Sequence, residues 1–463
     1  MSQIDQDLID QLRVFGPESA TALARRLAVS TPTVTRALKR LGDAVVAVGK
    51  GRASAYALRR HVRDLGHSWP LYKIGPNAEP VLLGTLQALQ GRYRWRLAPA
   101  HPLPLFMRGE FADGLYEDLP WFLQALRPQG YLGKDLVRIF AERIGAPDDL
   151  GRWQAEDTLS WLVQFADDCP GNLAIGTEAL EWVRFREHRI DLSFFLIEQR
   201  LENYSALARN IETQTSPHSS AAGEQPKFMA TLELDLPFLR AVIVKYSPQI
   251  LRNPTAQRWC DLLACEAIAL RAVVTHRLAA SSSEIIDHNQ LRFLESTRFD
   301  RTPQGGRIGV FALDALDMAY VGSDQRGWLA GALPLHAQGM IDADDIETIR
   351  LLDAFGRLIG NDDMHHGNLS FFAEPESERL KLAPVYDMLP MHYRPSPTGL
   401  THDRPFALPQ PDRAYPVLWK KAGAMAAAFW TAAAADPRLS ADFAAICAGN
   451  VERIAAWRTE HGL

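Results

Sequence analysis

Apolar residues recur at four-residue spacing from the first turn of the chain: Ile4, Leu8 and Leu12 share one helical face, and Gly16-Pro17 ends that segment. Ala20, Leu23, Ala24 and Leu27 form a second stripe. Ser30-Thr31-Pro32 announces a third helix, with Thr31 expected to cap the free amides and Pro32 suited to the first turn. Val34, Ala37, Leu38 and Leu41 then stand at i, i+3, i+4 and i+7. Two short apolar runs, Val45 to Val48 and Ala55 to Leu58, flank Gly49-Lys50-Gly51-Arg52 and predict a hairpin. Residues 64–205 alternate short extended and helical stretches, with a proline-rich break at His101-Pro102-Leu103-Pro104, before Glu202 to Pro217 turns polar. Further on, Leu239 to Val244 predicts a buried strand, and the apolar stretches around Leu369 and Leu382 predict two more. The longest apolar run, Ala422 to Ala435, contains Gly423 and falls short of the roughly 20 residues a bilayer needs, so it reads as a buried alanine-rich helix.

A chain of 463 residues exceeds one ordinary core and is expected to form two or three packed units. Its 47% apolar and 23% charged residues suit a soluble globular protein, and the acidic, polar start is unlike a secretory leader. The four cysteines, Cys169, Cys260, Cys265 and Cys447, show no C-x-x-C spacing and read as reduced, buried thiols of a cytoplasmic protein. Charge divides unevenly. Residues 1–63 carry 11 Lys+Arg against 5 Asp+Glu, whereas the rest carries 39 against 50. Only the head is therefore expected to seek a polyanion. Its third helix places Thr33, Arg36, Lys39 and Arg40 opposite the apolar stripe. Three short helices and a basic-tipped hairpin resemble a winged helix-turn-helix, in which the second helix of the pair enters the major groove. Arg36 and Lys39 are then placed at bases or phosphates, and Lys50 and Arg52 at phosphates beside the wing. The competing reading is a protein-contact module with a solvated charged face.

Four stretches of the body carry chemistry. Ser219-Ser220-Ala221-Ala222-Gly223-Glu224-Gln225-Pro226-Lys227 groups small residues around one glycine, as a loop presenting amides to an anion requires, although a single glycine is a weak signal. The strand from Leu239 delivers Lys245 to a site edge. Asn361-Asp362-Asp363-Met364-His365-His366-Gly367-Asn368 sets Asp363 and Asn368 at the separation of a kinase catalytic loop, where the aspartate accepts the hydroxyl proton and the asparagine holds Mg²⁺. Tyr386-Asp387 ends an apolar strand one hairpin later, where a second metal-binding aspartate is needed.

In that order the stretches resemble the HipA-type serine/threonine kinase toxins, over roughly residues 80–450. Thr297-Arg298-Phe299-Asp300-Arg301 is similar to that family's Arg-Phe-Asp-Arg hinge, and the fused head suggests a YjjJ-type subgroup. The resemblance implies an α+β, two-lobed protein-kinase-like fold behind the winged helix, with residues 1–63, 64–298 and 299–463 as successive units. It implies ATP and Mg²⁺ as cofactors, with Ala222, Gly223, Glu224, Gln225, Lys245 and His365 on the nucleotide. Thr297, Arg298 and Phe299 would receive adenine through backbone groups, with Asp300 near the ribose. Asp363 would be the general base, and Asn368 and Asp387 the Mg²⁺ ligands. Ser220 would be autophosphorylated, ejecting the loop and silencing the enzyme, with Ser219 as the neighbouring candidate. Implied partners are a protein substrate, duplex DNA at residues 1–63 and a separate antitoxin, with no membrane. The partner of Lys245 stays open between Glu266 and Gln257 on the helix Thr255 to Leu270.

Two other classes compete. A two-metal phosphoesterase would use Asp363-Met364-His365 with His366, His392 and His402, but no Gly-Asn-His segment follows. A transcriptional regulator with a dead kinase fold would sense a ligand, against which stand the intact Lys245, Asp363, Asn368 and Asp387.

Overall fold

A computed structural model describes residues 2–49, 54–98, 102–166, 168–184, 194–214, 225–235, 238–248, 253–323, 327–396 and 398–463. The head comprises α1 (Gln3–Phe15), α2 (Ala20–Arg26), α3 (Thr31–Leu41) and an antiparallel pair, β1 (Val45–Val48) and β2 (Ala55–Leu58). The apolar stripes face one another: Leu8, Leu12, Leu23, Val34, Ala37 and Leu38 form a separate small core. The cap of α3 differs from expectation. Ser30 is the extended residue whose Oγ accepts from the Thr33 N–H, which makes Thr31 the first helical residue. Val46, Val48 and Ala57 pack on Leu89, which docks the hairpin on the next unit.

That unit is an antiparallel sheet of β3 (Ser68–Ile74), β4 (Pro80–Leu89), β5 (Arg92–Leu97), β6 (Leu115–Tyr116) and β7 (Leu173–Ile175), ordered β6-β5-β4-β3-β7. Four helices accompany it: α4 (Trp121–Gln124), α5 (Gly130–Ile144), α6 (Ala155–Phe165) and α7 (Thr177–Arg184). A second sheet follows, from β8 (Phe194–Leu196), β9 (Lys227–Glu233), β10 (Leu239–Tyr246), β11 (Ser283–His288) and β12 (Leu291–Thr297) in the order β11-β12-β10-β9-β8. Its helices are α8 (Arg200–Gln214) and α9 (Pro254–Thr275). Among the described residues, 64–298 thus hold two separate five-stranded sheets.

The remaining lobe is mostly helical. A small sheet of β13 (Val310–Ala312), β14 (Ser370–Phe372) and β15 (Lys381–Leu382) accompanies α10 (Leu313–Tyr320), α11 (Trp328–Ala337), α12 (Ala343–Leu358), α13 (Pro416–Ala434) and α14 (Ala441–His461). The alanine-rich run lies in α13, with Ala422, Gly423, Met425, Ala426 and Phe429 buried. Among the described residues no helix is long and apolar enough to cross a membrane. The four cysteines are buried and unbridged.

The distribution of apolar burial positions the site. The second sheet keeps its own core, including Tyr204, Phe228, Val242, Val244 and Phe293. The first sheet and its helices instead share one continuous core with the helical lobe. Phe106 stacks on Phe122 at 3.9 Å between ring centres and meets Phe311 of β13 edge-on. Polar contacts reinforce the join: Lys73 Nζ donates to Glu376 Oε1 at 2.6 Å, and Asn172 Nδ2 to Glu374 Oε2 at 2.9 Å.

Candidate active site

Lys245 stands near the end of β10, flanked in register by Leu294 of β12 and Lys227 of β9. Only 7% of it is exposed. Its Nζ donates to both oxygens of Glu266, at 2.7 and 2.6 Å, and also to Asp387 Oδ1. Burial alone would push the ammonium down, but the charges of Asp387 and Glu266 outweigh it and hold the pKa above the ordinary lysine value. Burial raises Glu266, whereas the charge of Lys245 overcomes burial at Asp387 and holds that carboxyl below its usual range. The partner of Lys245 is Glu266; Gln257 lies earlier on α9 and donates to Asp261 Oδ1 at 3.3 Å instead.

Asp363 lies in the loop after α12, and its neighbours form a closed polar network. The Asp363 N–H donates to Asn361 Oδ1 at 3.2 Å, and Asn361 Nδ2 donates to the Asp387 carbonyl at 3.2 Å. Asn368 Nδ2 donates to the Asp363 carbonyl at 2.9 Å, which leaves the Asn368 side-chain oxygen as an acceptor. Asp387 adopts a left-handed backbone, φ 53°, a strained conformation that Asp tolerates better than most residues and that Asn361 secures. Asn361 was within the sequence motif without a role; its position ties two segments of the site together. The Tyr386 hydroxyl donates to the Gly367 carbonyl at 2.8 Å and meets Ser370 Oγ at 2.7 Å. His365 is exposed, its Nδ1 accepting from the Gly367 N–H at 3.1 Å, while Trp328 Nε1 donates to its carbonyl at 3.0 Å. Burial raises the pKa of Asp363 above the ordinary aspartate value, opposed by the nearby guanidinium of Arg394.

The hinge residues Thr297 to Asp300 line a cavity and hold a buried charge cluster. Arg298 is buried, with Nε and Nη2 donating to Asp300 at 3.0 and 2.9 Å and Nη1 to Asp168 at 2.9 Å. Arg301 donates to Asp300 Oδ2 at 2.8 Å and to Asp168 Oδ1 at 2.9 Å, and the Gly171 N–H to Asp300 Oδ2 at 2.9 Å. Burial alone would raise Asp300, but the two guanidiniums hold its carboxyl far below the usual range. Asp300 thus builds the hinge through both oxygens and also lines the cavity. Asp168, which sequence reasoning did not single out, joins this cluster from the loop after α6. The Thr297 N–H donates to the Ser282 carbonyl and the Arg298 N–H to the Ala241 carbonyl, each at 2.9 Å. Of the three hinge amides only that of Phe299 is without a partner among the described residues.

The cavity, of about 400 Å³, is lined by Lys245, Glu266, the hinge from Thr297 to Asp300, Tyr386 and Asp387; Asp363, Asn368 and His365 are not among its lining residues. Ile243 and Lys245 line it from β10, Tyr386 and Asp387 from the segment after β15, and Leu132 and Trp161 from α5 and α6. Gln225 is described just outside, its Nε2 donating to the Tyr246 carbonyl. Ser220, Ala222, Gly223 and Glu224 lie outside the described residues, as do Lys50 and Arg52 of the head. Arg36 and Lys39 are exposed on α3. Thr33 is half-buried with its hydroxyl bonded to Ser30 Oγ at 2.8 Å, and Arg40 reaches Asp5 Oδ1 at 2.6 Å. Arg40 therefore helps close α1 against α3, and the Asp5 carboxyl falls to a pKa of about 2 through that hydrogen bond and the Ser2 amide.

The fold and site define a protein of mixed α and β structure, with a cleft between a small sheet and a helical lobe and lining contributed by an additional sheet-and-helix unit. Residues 65–184 match the family described as "YjjJ-like toxin, middle domain", and residues 219–453 match "HipA-like C-terminal domain". The chain belongs to this family of HipA-type toxins. It is 32% identical to Toxin YjjJ of Escherichia coli strain K12 over 451 residues, covering 96% of this chain and 97% of that protein. Its fold is similar to a Shewanella oneidensis MR-1 HipA structure, solved as a toxin–antitoxin complex of HipA, HipB and operator DNA. The TM-score is 0.52 at 15% identity, over 83% of this chain and 96% of that one.

Proposed function

We propose that this chain is an ATP- and Mg²⁺-dependent serine/threonine protein kinase of the HipA toxin type. The observation that carries the reading is the position of Lys245, held by Glu266 from α9 and by Asp387 from the opposite lobe, over a cavity that both lobes line. A buried lysine so held is an immobile cation at a cleft, which suits the phosphates of a nucleotide. The side-chain oxygens of Asn368 and Asp387 are hard donors of the kind Mg²⁺ prefers, and the amide of Asn368 is already turned so that its oxygen is available. Bound there, the ion would neutralise charge on the transferring phosphoryl group. Asp363 orients and receives the proton of an incoming protein hydroxyl; burial raises its pKa above the ordinary aspartate value, which makes it a stronger base.

Two further activities belong to the same reading. Ser220 is the proposed site of autophosphorylation, since the added charge of about −1.5 to −2 would oppose a closed loop beside nucleotide phosphates. The head is proposed to bind duplex DNA through α3, with Arg36 and Lys39 exposed for it. A separate antitoxin is a further proposed partner, as the Shewanella toxin was solved with HipB and operator DNA. The test is mass spectrometry of the purified protein after incubation with Mg-ATP, alongside Asp363→Asn. Phosphate on the wild-type chain and a loss of about 10²–10⁴-fold in rate for the variant, with ATP binding kept, are expected. Undiminished transfer by Asp363→Asn would remove Asp363 from the role of base.

A further inference from the structure

The body is acidic in sum but not everywhere. On β5 the side chains of Arg92, Arg94 and Arg96 share one face of the first sheet, opposite Tyr93 and Trp95, which are buried in the core. Arg92 has Glu117 at 4.0 Å, whereas Arg94 and Arg96 form no ion pair among the described residues. Arg94 is half-buried and its Nη1 donates to the Ala47 carbonyl of β1 at 2.7 Å; Arg96 is exposed. Burial, and then the like charge of Arg96, lower the pKa of Arg94. Same-face neighbours on a strand stand about 7 Å apart, so the two guanidiniums form a spaced double charge that repels itself and attracts an anion.

The place of this pair identifies the anion. Val46, Val48 and Ala57 of the hairpin pack on Leu89, the register partner of Arg92, so the hairpin and β5 are fixed side by side. Arg94 meets Ala47, two residues before the turn Gly49-Lys50-Gly51-Arg52. Residues 45–62 contain Lys50, Arg52, Arg59 and Arg60 and no carboxylate side chain. Other arginines at the junction are already compensated: Arg59 lies 3.7 Å from Asp43, Arg60 pairs with Glu156 and Arg63 with Asp157. Arg94 and Arg96 are thus continuous with the basic wing. We infer that they form a phosphate-binding extension of the wing, so that duplex DNA is held by the middle unit as well as by the head. This inference rests on the reading of the head as a DNA-binding unit. A guanidinium offers parallel donors to a phosphate; Arg96 has all of its nitrogens for this, and Arg94 spends one on the hairpin. Such contacts position the duplex and carry no sequence information, which leaves base reading to α3.

Fluorescence anisotropy of the full-length protein on a labelled mixed-sequence duplex, over a series of salt concentrations, tests this. Arg96→Ala removes an exposed side chain without an ion-pair partner and should flatten the slope of log K against log salt by about 0.9. Arg94→Ala together with Arg96→Ala should flatten it by about 1.8. Arg96→Lys keeps the charge and should restore the wild-type slope. Lys421→Ala, on the exposed side of α13, changes net charge as much as Arg96→Ala does and should leave the slope where it was. Slopes unchanged by both β5 variants, while Arg36→Ala with Lys39→Ala still flattens them, would overturn the extension and leave the head reading standing. Equal flattening by Lys421→Ala would reduce the effect to net charge and defeat the inference as well. Should the β5 variants lose binding to poly-glutamate and keep the duplex slope, the pair belongs to an acidic protein partner instead. A wild-type chain that binds no duplex at low salt would sink the head reading and this inference with it.

Discussion

At the scale of single residues, two neighbouring carboxylates have opposite tendencies. Asp387 is held below the ordinary range by Lys245, and Asp363 is raised by burial. For a raised base the sign is direct: its ionised form is lost as pH falls through a value higher than that of a free aspartate. The acid limb of the kcat profile should therefore lie above the ordinary aspartate value. Arg394→Ala should move it higher still, because the guanidinium favours the ionised form of Asp363 and also pairs with Asp362. A limb that stays put, or moves to lower pH, would contradict the electrostatic account. Glu266→Gln probes the other end. Asp387 must leave Lys245 if it is to hold a cation, and Glu266 is then the remaining anchor. The variant should retain its folded spectrum and lose about ten- to a hundredfold in kcat/KM, the worth of a charge-assisted hydrogen bond. Wild-type kinetics would show that the pair is only structural.

Among elements, the hinge after β12 depends on a loop far away in sequence. Arg298 and Arg301 are buried cations, and Asp300 alone would face two of them; Asp168 supplies the second carboxylate from the loop after α6. Removing one partner of such a cluster leaves charge uncompensated. Asp168→Ala should thus destabilise the chain by about 3 kcal/mol in urea unfolding. A change within a few tenths would mean that the guanidiniums find other acceptors. Local elements were readable because their signals are local. The stripes of α1, α2 and α3 and the paired runs of β1 and β2 stand where periodicity puts them. The α3 cap was displaced by one residue, since Ser30 and Thr31 offer nearly the same hydroxyl and only backbone geometry chooses between them. No comparable signal exists for Asp168, whose role is set by Arg298 and Arg301, 130 and 133 residues further along.

For the whole molecule, charge and connectivity set the expectation. A basic head precedes an acidic body, and the head has its own small core while its hairpin docks through Leu89. The full chain should bind duplex DNA with an affinity that falls steeply with salt. Arg36→Ala together with Lys39→Ala should flatten the slope of log K against log salt by about 0.9 for each phosphate that the variant no longer neutralises. An unchanged slope would assign the exposed face of α3 to something other than DNA. Arg40 is a poorer probe, because its loss would also unlatch Asp5.

Helical and strand periods and the order of Lys245, Asp363, Asn368 and Asp387 can be read along the chain, whereas the cap of α3 needed backbone geometry to choose Ser30 over Thr31. The sequence also narrowed the partner of Lys245 to one helix but not to one residue, since register on α9 follows from packing against β11 and β12. Contacts between distant segments had to wait for the folded chain. Glu266 grips Lys245, Asn361 ties Asp363 to Asp387, and Asp168 neutralises the hinge. The first sheet joins its core to the helical lobe and so brings Trp161 to the cavity. The physical reason is that burial and Coulomb interactions act through space, so a residue's role depends on which side chains the fold brings beside it.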